Sequence, residues 1–315
     1  SCLLLLRAAS ILSTQPGVST SFELVRNRVL VPVFVQGTGP YPFVLDVVGQ
    51  RHVLDRAAAQ FLHLSLTEDS AVELPRASEE PITPHRIEGV EFAFCGQLLP
   101  VEELLVMDLS GFKRQLARTP AGILAGGALA GVLTLNFQDG QAYWNPDSSP
   151  GEILPDADTG PLAKGIINGT YVHSFVVDTC FGETAYLPRS VANRLGLLNP
   201  STPHLVLLRE GDKSKTSMQI RLQSLEIGAA KVLNPLCTIG DSGKSPRIGV
   251  GFLRHFQVQF VFPQGPVSLQ PIKPDVVVDE PVVGSGLTLA QFRDGHWTLH
   301  VVAHSPAANA GVLPG

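Results

Sequence analysis

Phe43-Val44-Leu45-Asp46 returns, 132 positions later, as Phe175-Val176-Val177-Asp178. Each copy is an apolar run that reads as a buried strand and ends on a single carboxylate. A short polar, Gly-containing turn follows each aspartate. A second apolar step comes next (Val53-Leu54; Tyr186-Leu187), then a short helix with an Ala-bearing face, expected over 56–62 and 189–195. A repeat that places a carboxylate at the same point in both copies is the organising feature of the chain.

Working outward, each copy is preceded by the other arm of a hairpin. Val29 to Val35 leads through Gln36-Gly37-Thr38-Gly39-Pro40 into a return strand expected at Tyr41 to Asp46. Gly165-Ile166-Ile167 leads through Asn168-Gly169 into Tyr171 to Asp178, and Asn-Gly between apolar runs is a strong hairpin signal. Asn168-Gly169-Thr170 also forms a glycosylation sequon, which the turn explains without a glycan. Beyond each helix lies a polar span (67–86; 202–216), then strands around a Gly turn, then a Gly-rich apolar segment. That segment is Ala121 to Leu129 in the first half and Arg247-Ile248-Gly249-Val250-Gly251-Phe252-Leu253 in the second. Each half closes on a hairpin, Gly131 to Phe137 and Phe256 to Phe260 being the leading arms. The repeat therefore extends over about 22–271.

The chain has 315 residues, 44% hydrophobic and 16% charged, with 30 Gly and 25 Pro punctuating short Val-, Leu- and Phe-rich runs. These figures predict an all-β protein with a large core and exclude general disorder. A net charge of −5 gives no reason to expect nucleic acid or an anionic membrane as partner. Cys2, Cys95, Cys180 and Cys237 have no metal-ligand spacing; Cys95 and Cys237 read as buried thiols in preference to a disulfide pair. His296, His300 and His304 are four apart, but in a strand setting that spacing does not converge on a metal. No metal or organic cofactor is expected. The expected organisation is a leader remnant or tail at 1–20, one lobe at 21–150, a second at 155–271, a Pro- and acid-rich linker at 272–283, and a different module at 284–315. The Leu run at 3–6 is too short to span a bilayer and reads as the end of a signal region, which points to an extracytoplasmic (periplasmic or secreted) protein.

The doubled hairpin–Asp–turn–helix unit, with a later Ile/Leu-Gly segment in each half, resembles the aspartic peptidases of the retropepsin and pepsin type. It is most similar to bacterial two-lobed members with a C-terminal PDZ domain. The resemblance implies tandem acid-protease β-barrels, with Asp46 and Asp178 as a catalytic pair acting on polypeptide held extended between the lobes. The tail, with Ser305-Pro306-Ala307-Ala308 and Ala310-Gly311, resembles the first part of a PDZ domain, which implies binding of peptide C-termini by strand addition. By the same resemblance the 67–86 span reads either as a substrate-covering flap or as a plain solvated loop.

The residue types suit that chemistry. Two carboxylates brought together cannot both ionise easily, so the pair holds one proton. The ionised member takes a proton from water while the protonated member polarises the scissile carbonyl. The family motif is Asp-Thr-Gly, and this chain departs from it. The first copy reads Asp46-Val47-Val48-Gly49, the second Asp178-Thr179-Cys180. Val47 lacks the hydroxyl that Thr179 keeps, and Val48 and Cys180 stand where glycine is expected. Gly249 matches the later family glycine, and Ala125 replaces it in the first half. Hence two readings stand side by side: an aspartic endopeptidase, and a decayed homologue that binds peptide without cutting it. Cys180 as a replacement nucleophile lacks a base fixed by sequence, His173 being the nearest candidate.

Overall fold

The computed structural model describes residues 18–65, 85–87, 89–99, 101, 104–147, 160–199, 204–208, 216–240, 245–263, 265–272, 277–279, 287–291, 297–301 and 305–313. The fold is all-β in class, at 50% strand and 13% helix. Most of the 67–86 span, the 148–159 boundary, His296 and His304 lie outside the described residues.

Two large sheets are built in the same way, one from each half of the chain. In the first, the strand order is His85–Ile87, Leu104–Met107, His52–Asp55, Gly122–Ala125, Thr38–Asp46, Val29–Val35, Phe92–Phe94 and Gln97–Leu99. In the second the matching run is Thr216–Arg221, Leu236–Gly240, Ala185–Pro188, Arg247–Ile248, Tyr171–Val177, Leu162–Ile167, Ser224–Ile227 and Ala230–Leu233, extended at its ends by His204–Leu208 and Val277–Val278. Position by position, the parallel or antiparallel sense of pairing is the same in both. A third sheet joins the halves: Gly131–Asn136 pairs antiparallel with Phe256–Phe262, from Gly131 opposite Phe262 to Asn136 opposite Gln257.

Turn chemistry sets the hairpins. Gln36 and Gly37 both have positive φ, as do Asn168 and Gly169, the signature of a two-residue turn matched to strand twist. The first return strand therefore starts at Thr38, three residues before the expected Tyr41. The Asn168 side chain is used by the turn: its Oδ1 accepts from the amides of Gln223 (2.8 Å) and Ser224 (3.3 Å). The helices are Arg56–Phe61 and Arg189–Arg194, the first capped by Asp55, whose carboxylate accepts from Ala57 and Ala58.

The core runs continuously from one large sheet to the other. Phe43, Phe92, Phe94 and Trp144 fill the first half, and Phe175, Phe252, Phe256 and Phe260 the second. Cys95 and Cys237 are separate, buried thiols.

Three expectations shift. Residues 18–20, placed in the leading tail, belong to the Val18–Ser21 strand, which pairs with Gln141–Asn145. The polar span at 202–216 contains a strand, His204–Leu208. Within the expected linker, Val277–Val278 adds in parallel to Ala230–Leu233. There the Asp279 carboxylate accepts from the Leu236 amide (2.9 Å) and pairs with Arg221 (3.2 Å). Two valines and a partnered acid are enough to dock a segment whose Pro content suggested a free tether. Farther on, Leu287–Gln291 and Trp297–Val301 form a hairpin, and Ser305 caps the Pro306–Asn309 helix. No helix among the described residues is long and apolar enough to cross a membrane.

Candidate active site

Asp46 ends a strand held on both sides. Val29–Val35 runs antiparallel to it, and Gly122–Ala125 runs parallel, with Ala125 directly opposite Asp46. Asp178 follows a strand held the same way by Leu162–Ile167 and Arg247–Ile248, and its amide donates to the Ile248 carbonyl at 3.0 Å. Central strands of this kind fix where their ends point, so neither carboxylate owes its position to a flexible loop. A carboxylate oxygen of Asp46, one of Asp178 and the Sγ of Cys180 all lie within 4.8 Å of one another. One water can bridge two oxygens at that separation through ordinary hydrogen bonds.

The turns after the aspartates hold the carboxylates in place. Asp46 Oδ1 accepts from the amides of Val48 (3.1 Å) and Gly49 (2.9 Å), and Asp178 Oδ1 accepts from the amide of Cys180 (2.8 Å). Backbone amides do this work, so Val48 and Cys180 can occupy positions where the motif has glycine. Gly49 is constrained differently: a Cβ there would sit 2.9 Å from Asp46 Oδ2. Thr179 reaches across to the other half, donating to the Leu45 carbonyl (2.6 Å) and accepting from the Val47 amide (3.1 Å). Val47 is buried and has no hydroxyl to return the contact.

Gly249 and its counterpart Ala125 differ in the acceptor of their amide. The Gly249 amide donates to the Thr184 carbonyl at 3.2 Å, and a Cβ on Gly249 would fall 2.0 Å from the Phe181 carbonyl oxygen. In the first half a side chain takes the place of the Thr184 carbonyl: the Ala125 amide donates to Nδ1 of His52 at 3.1 Å. The ring accepts through Nδ1, so its proton is on Nε2, which is buried with no hydrogen-bond partner among the described residues. Burial holds His52 down at about 4.

Two features escaped the sequence reading. Arg247 Nη1 forms an ion pair with Asp178 Oδ2. Arg28 lies beside Gly182 and Cys180, and a Cβ on Gly182 would overlap its guanidinium. Arg247 was visible as a charge in an otherwise apolar segment, at the point where the first half has Ile123.

The electrostatics separate the two acids. Burial raises the Asp46 carboxyl above its ordinary value, and the charge of Asp178 raises it further; the amides of Gly49 and Val48 and the Cys180 thiol oppose the rise. Asp178 is 5% exposed and paired with a cation. Burial also pushes the Cys180 thiol well up, the charges of Asp46 and Asp178 add to that, and Arg28 opposes it. A thiol held protonated is a poor nucleophile. The candidate base His173 is engaged elsewhere, with Nδ1 3.0 Å from the Ser174 carbonyl oxygen and its ring against Phe175. The arrangement can thus hold a water between Asp46, whose proton affinity is raised, and Asp178, which is paired with Arg247.

No protein-family model and no curated protein matches this chain.

Proposed function

We propose that the protein is an aspartic-type endopeptidase of the two-lobed, retropepsin- and pepsin-like kind. The observation that carries this reading is the pairing of Asp46 and Asp178 at equivalent strand ends, close enough to share one water. Asp178 takes a proton from that water as the oxygen attacks the peptide carbonyl. Asp46 gives its proton to the carbonyl oxygen to form a tetrahedral diol, which collapses as the proton on Asp178 passes to the amide nitrogen, Asp46 takes back a hydroxyl proton and the C–N bond breaks. The substrate class is polypeptide in an extended conformation. The tail after 284 is taken as part of a PDZ domain that binds peptide C-termini, and the protein as extracytoplasmic. The test is hydrolysis of an unfolded protein across about pH 3 to 7, comparing the parent with Asp46→Asn and Asp178→Asn. Activity in the parent that both substitutions abolish supports the reading.

A second reading is favoured by the Arg247–Asp178 ion pair and the absent hydroxyl at Val47. A carboxylate neutralised by a guanidinium is a weaker base, and a site held by one cross-link in place of two is less tightly set. On this reading the cleft binds peptide and does not cut it. A parent inactive at every pH that still binds a pepstatin-like statine peptide, and gains hydrolysis as a Val47→Thr/Val48→Gly variant, would select this alternative.

A further inference from the structure

The two halves repeat each other strand for strand, yet the site is unequal at one position. Register places Arg247 opposite Val176, just as it places Ile123 opposite Val44. One aspartate therefore has a guanidinium beside it, where the other has an aliphatic neighbour at the matching point. The Arg247 side chain is 24% exposed and that of Asp178 is 7% exposed. Nη1 meets the carboxylate, while Nε is buried with no hydrogen-bond partner among the described residues. A guanidinium that gives up solvent at one nitrogen in order to reach a single buried carboxylate is held there by that charge.

We propose that Arg247 is a positioning residue that fixes Asp178 as the ionised member of the pair and leaves the shared proton on Asp46. This rests on the pairing of the two aspartates described above and assigns the roles within it: Asp178 the base, Asp46 the acid. Among the described residues, the other charged or titratable groups that face the pair are Cys180, from the turn after Asp178, and Arg28, from the first half. Cys180 is held as a neutral thiol and hydrogen-bonds Asp46; Arg28 bears on Cys180. Neither distinguishes Asp178 as directly as a paired guanidinium does. The raised proton affinity of Asp46, driven by burial and by the charge on Asp178, runs in the same direction.

The experiment is a titration of the aspartate carboxyls by NMR, with 13C at the side-chain carboxyl and signals assigned through Asp46→Asn and Asp178→Asn. The parent is compared with Arg247→Gln and Arg247→Lys. In the parent the last proton of the pair leaves from Asp46. Removing the guanidinium charge makes a doubly ionised pair harder to form, so in Arg247→Gln the upper step moves up by about one unit, roughly a tenfold gain in proton affinity. Arg247→Lys keeps the step near the parental position. The proposal is overturned if Asp178 holds the last proton in the parent, or if the step does not move in Arg247→Gln. Should Arg247→Gln fail to fold, the guanidinium 15N signal of Arg247 in the parent decides: it follows the upper step if the proposal holds and ignores it if not. The titration needs no turnover, so a parent that titrates as expected without hydrolysing peptide retains this assignment and rejects the peptidase reading alone.

Discussion

The hydroxyl of Thr179 donates to the carbonyl of Leu45 at 2.6 Å while accepting from the amide of Val47, so one side chain satisfies two buried backbone groups of the opposite half. Leu45 and Val47 flank Asp46. The link therefore sets the distance between the aspartates as well as joining the halves, and the lack of a hydroxyl on Val47 leaves it without a counterpart.

Thr179→Val should accordingly destabilise the protein by about 2 kcal/mol, because it strands the buried Val47 N–H and leaves the Leu45 carbonyl only the Cys180 thiol at 3.8 Å. Thr179→Ser, which keeps the hydroxyl, should lose less than half of that. Urea unfolding of the three proteins measures the difference. Equal stability for Val and Ser would mean that the methyl packing of Thr179 matters and its hydrogen bonds do not.

Much of this site could be read from the chain itself. Apolar runs ending in Asp46 and Asp178, and hairpins turned by residues such as Asn168-Gly169, are local signals. The inserted strands Gly122–Ala125 and Arg247–Ile248 are not local: they lie between neighbours far away in sequence, and the second is only two residues long. Register alone brings Arg247 to Asp178, so no spacing along the chain could announce the ion pair. His52 was hidden for a similar reason, since a histidine at the edge of a polar turn gives no sign that its ring replaces a carbonyl. Val277–Val278 was masked by the prolines and acids around it.

Gly249 and Gly49 differ in what they protect. Gly249→Ala drives a Cβ into the Phe181 carbonyl, where only backbone could yield. It should cost about 3 kcal/mol or prevent folding. Gly49→Ala meets the Asp46 carboxylate, a side chain that can turn away, so it should fold and lose function instead. Thermal unfolding together with binding of a statine peptide separates the cases. A Gly49→Ala protein that binds like the parent would show that the carboxylate position is not critical.

The three thiols among the described residues should be unreactive in the native state. Burial holds Cys95 at about 12 and pushes Cys180 and Cys237 up as well. Iodoacetamide at pH 8 should leave all three unmodified in the folded protein and alkylate them in urea, as peptide mass mapping would reveal. Rapid labelling of Cys180 in the native state would restore it as a candidate nucleophile.

Asp46 should weaken the fold near neutral pH. Its folded proton affinity is raised, so its favourable contribution is complete below the ordinary carboxyl value of 3.8 and is lost as the pH rises through the folded value. Asn at this position still accepts from the Val48 and Gly49 amides and has no charge to desolvate. Asp46→Asn should therefore melt higher than the parent at pH 7, with the gap closing toward pH 3.5. A gap that is the same at both pH values would contradict the assignment of the proton to Asp46.

His52 sets the opposite limit. Its folded value is lowered from 6.5 to about 4, so the unfolded chain takes up a proton before the native state does. Its contribution is complete above pH 6.5 and falls away as the pH drops toward 4, a loss of about 3 kcal/mol over the window. Protonation would also put an N–H where Nδ1 now accepts from Ala125, directly opposite Asp46 in the sheet. The site that needs acid to keep its shared proton is thus backed by a residue that acid weakens. Urea unfolding at pH 7, 5.5 and 4 should show the parent losing stability faster than His52→Gln, whose amide oxygen can accept in place of Nδ1 without titrating. Parallel losses in the two proteins would move the acid sensitivity to another group.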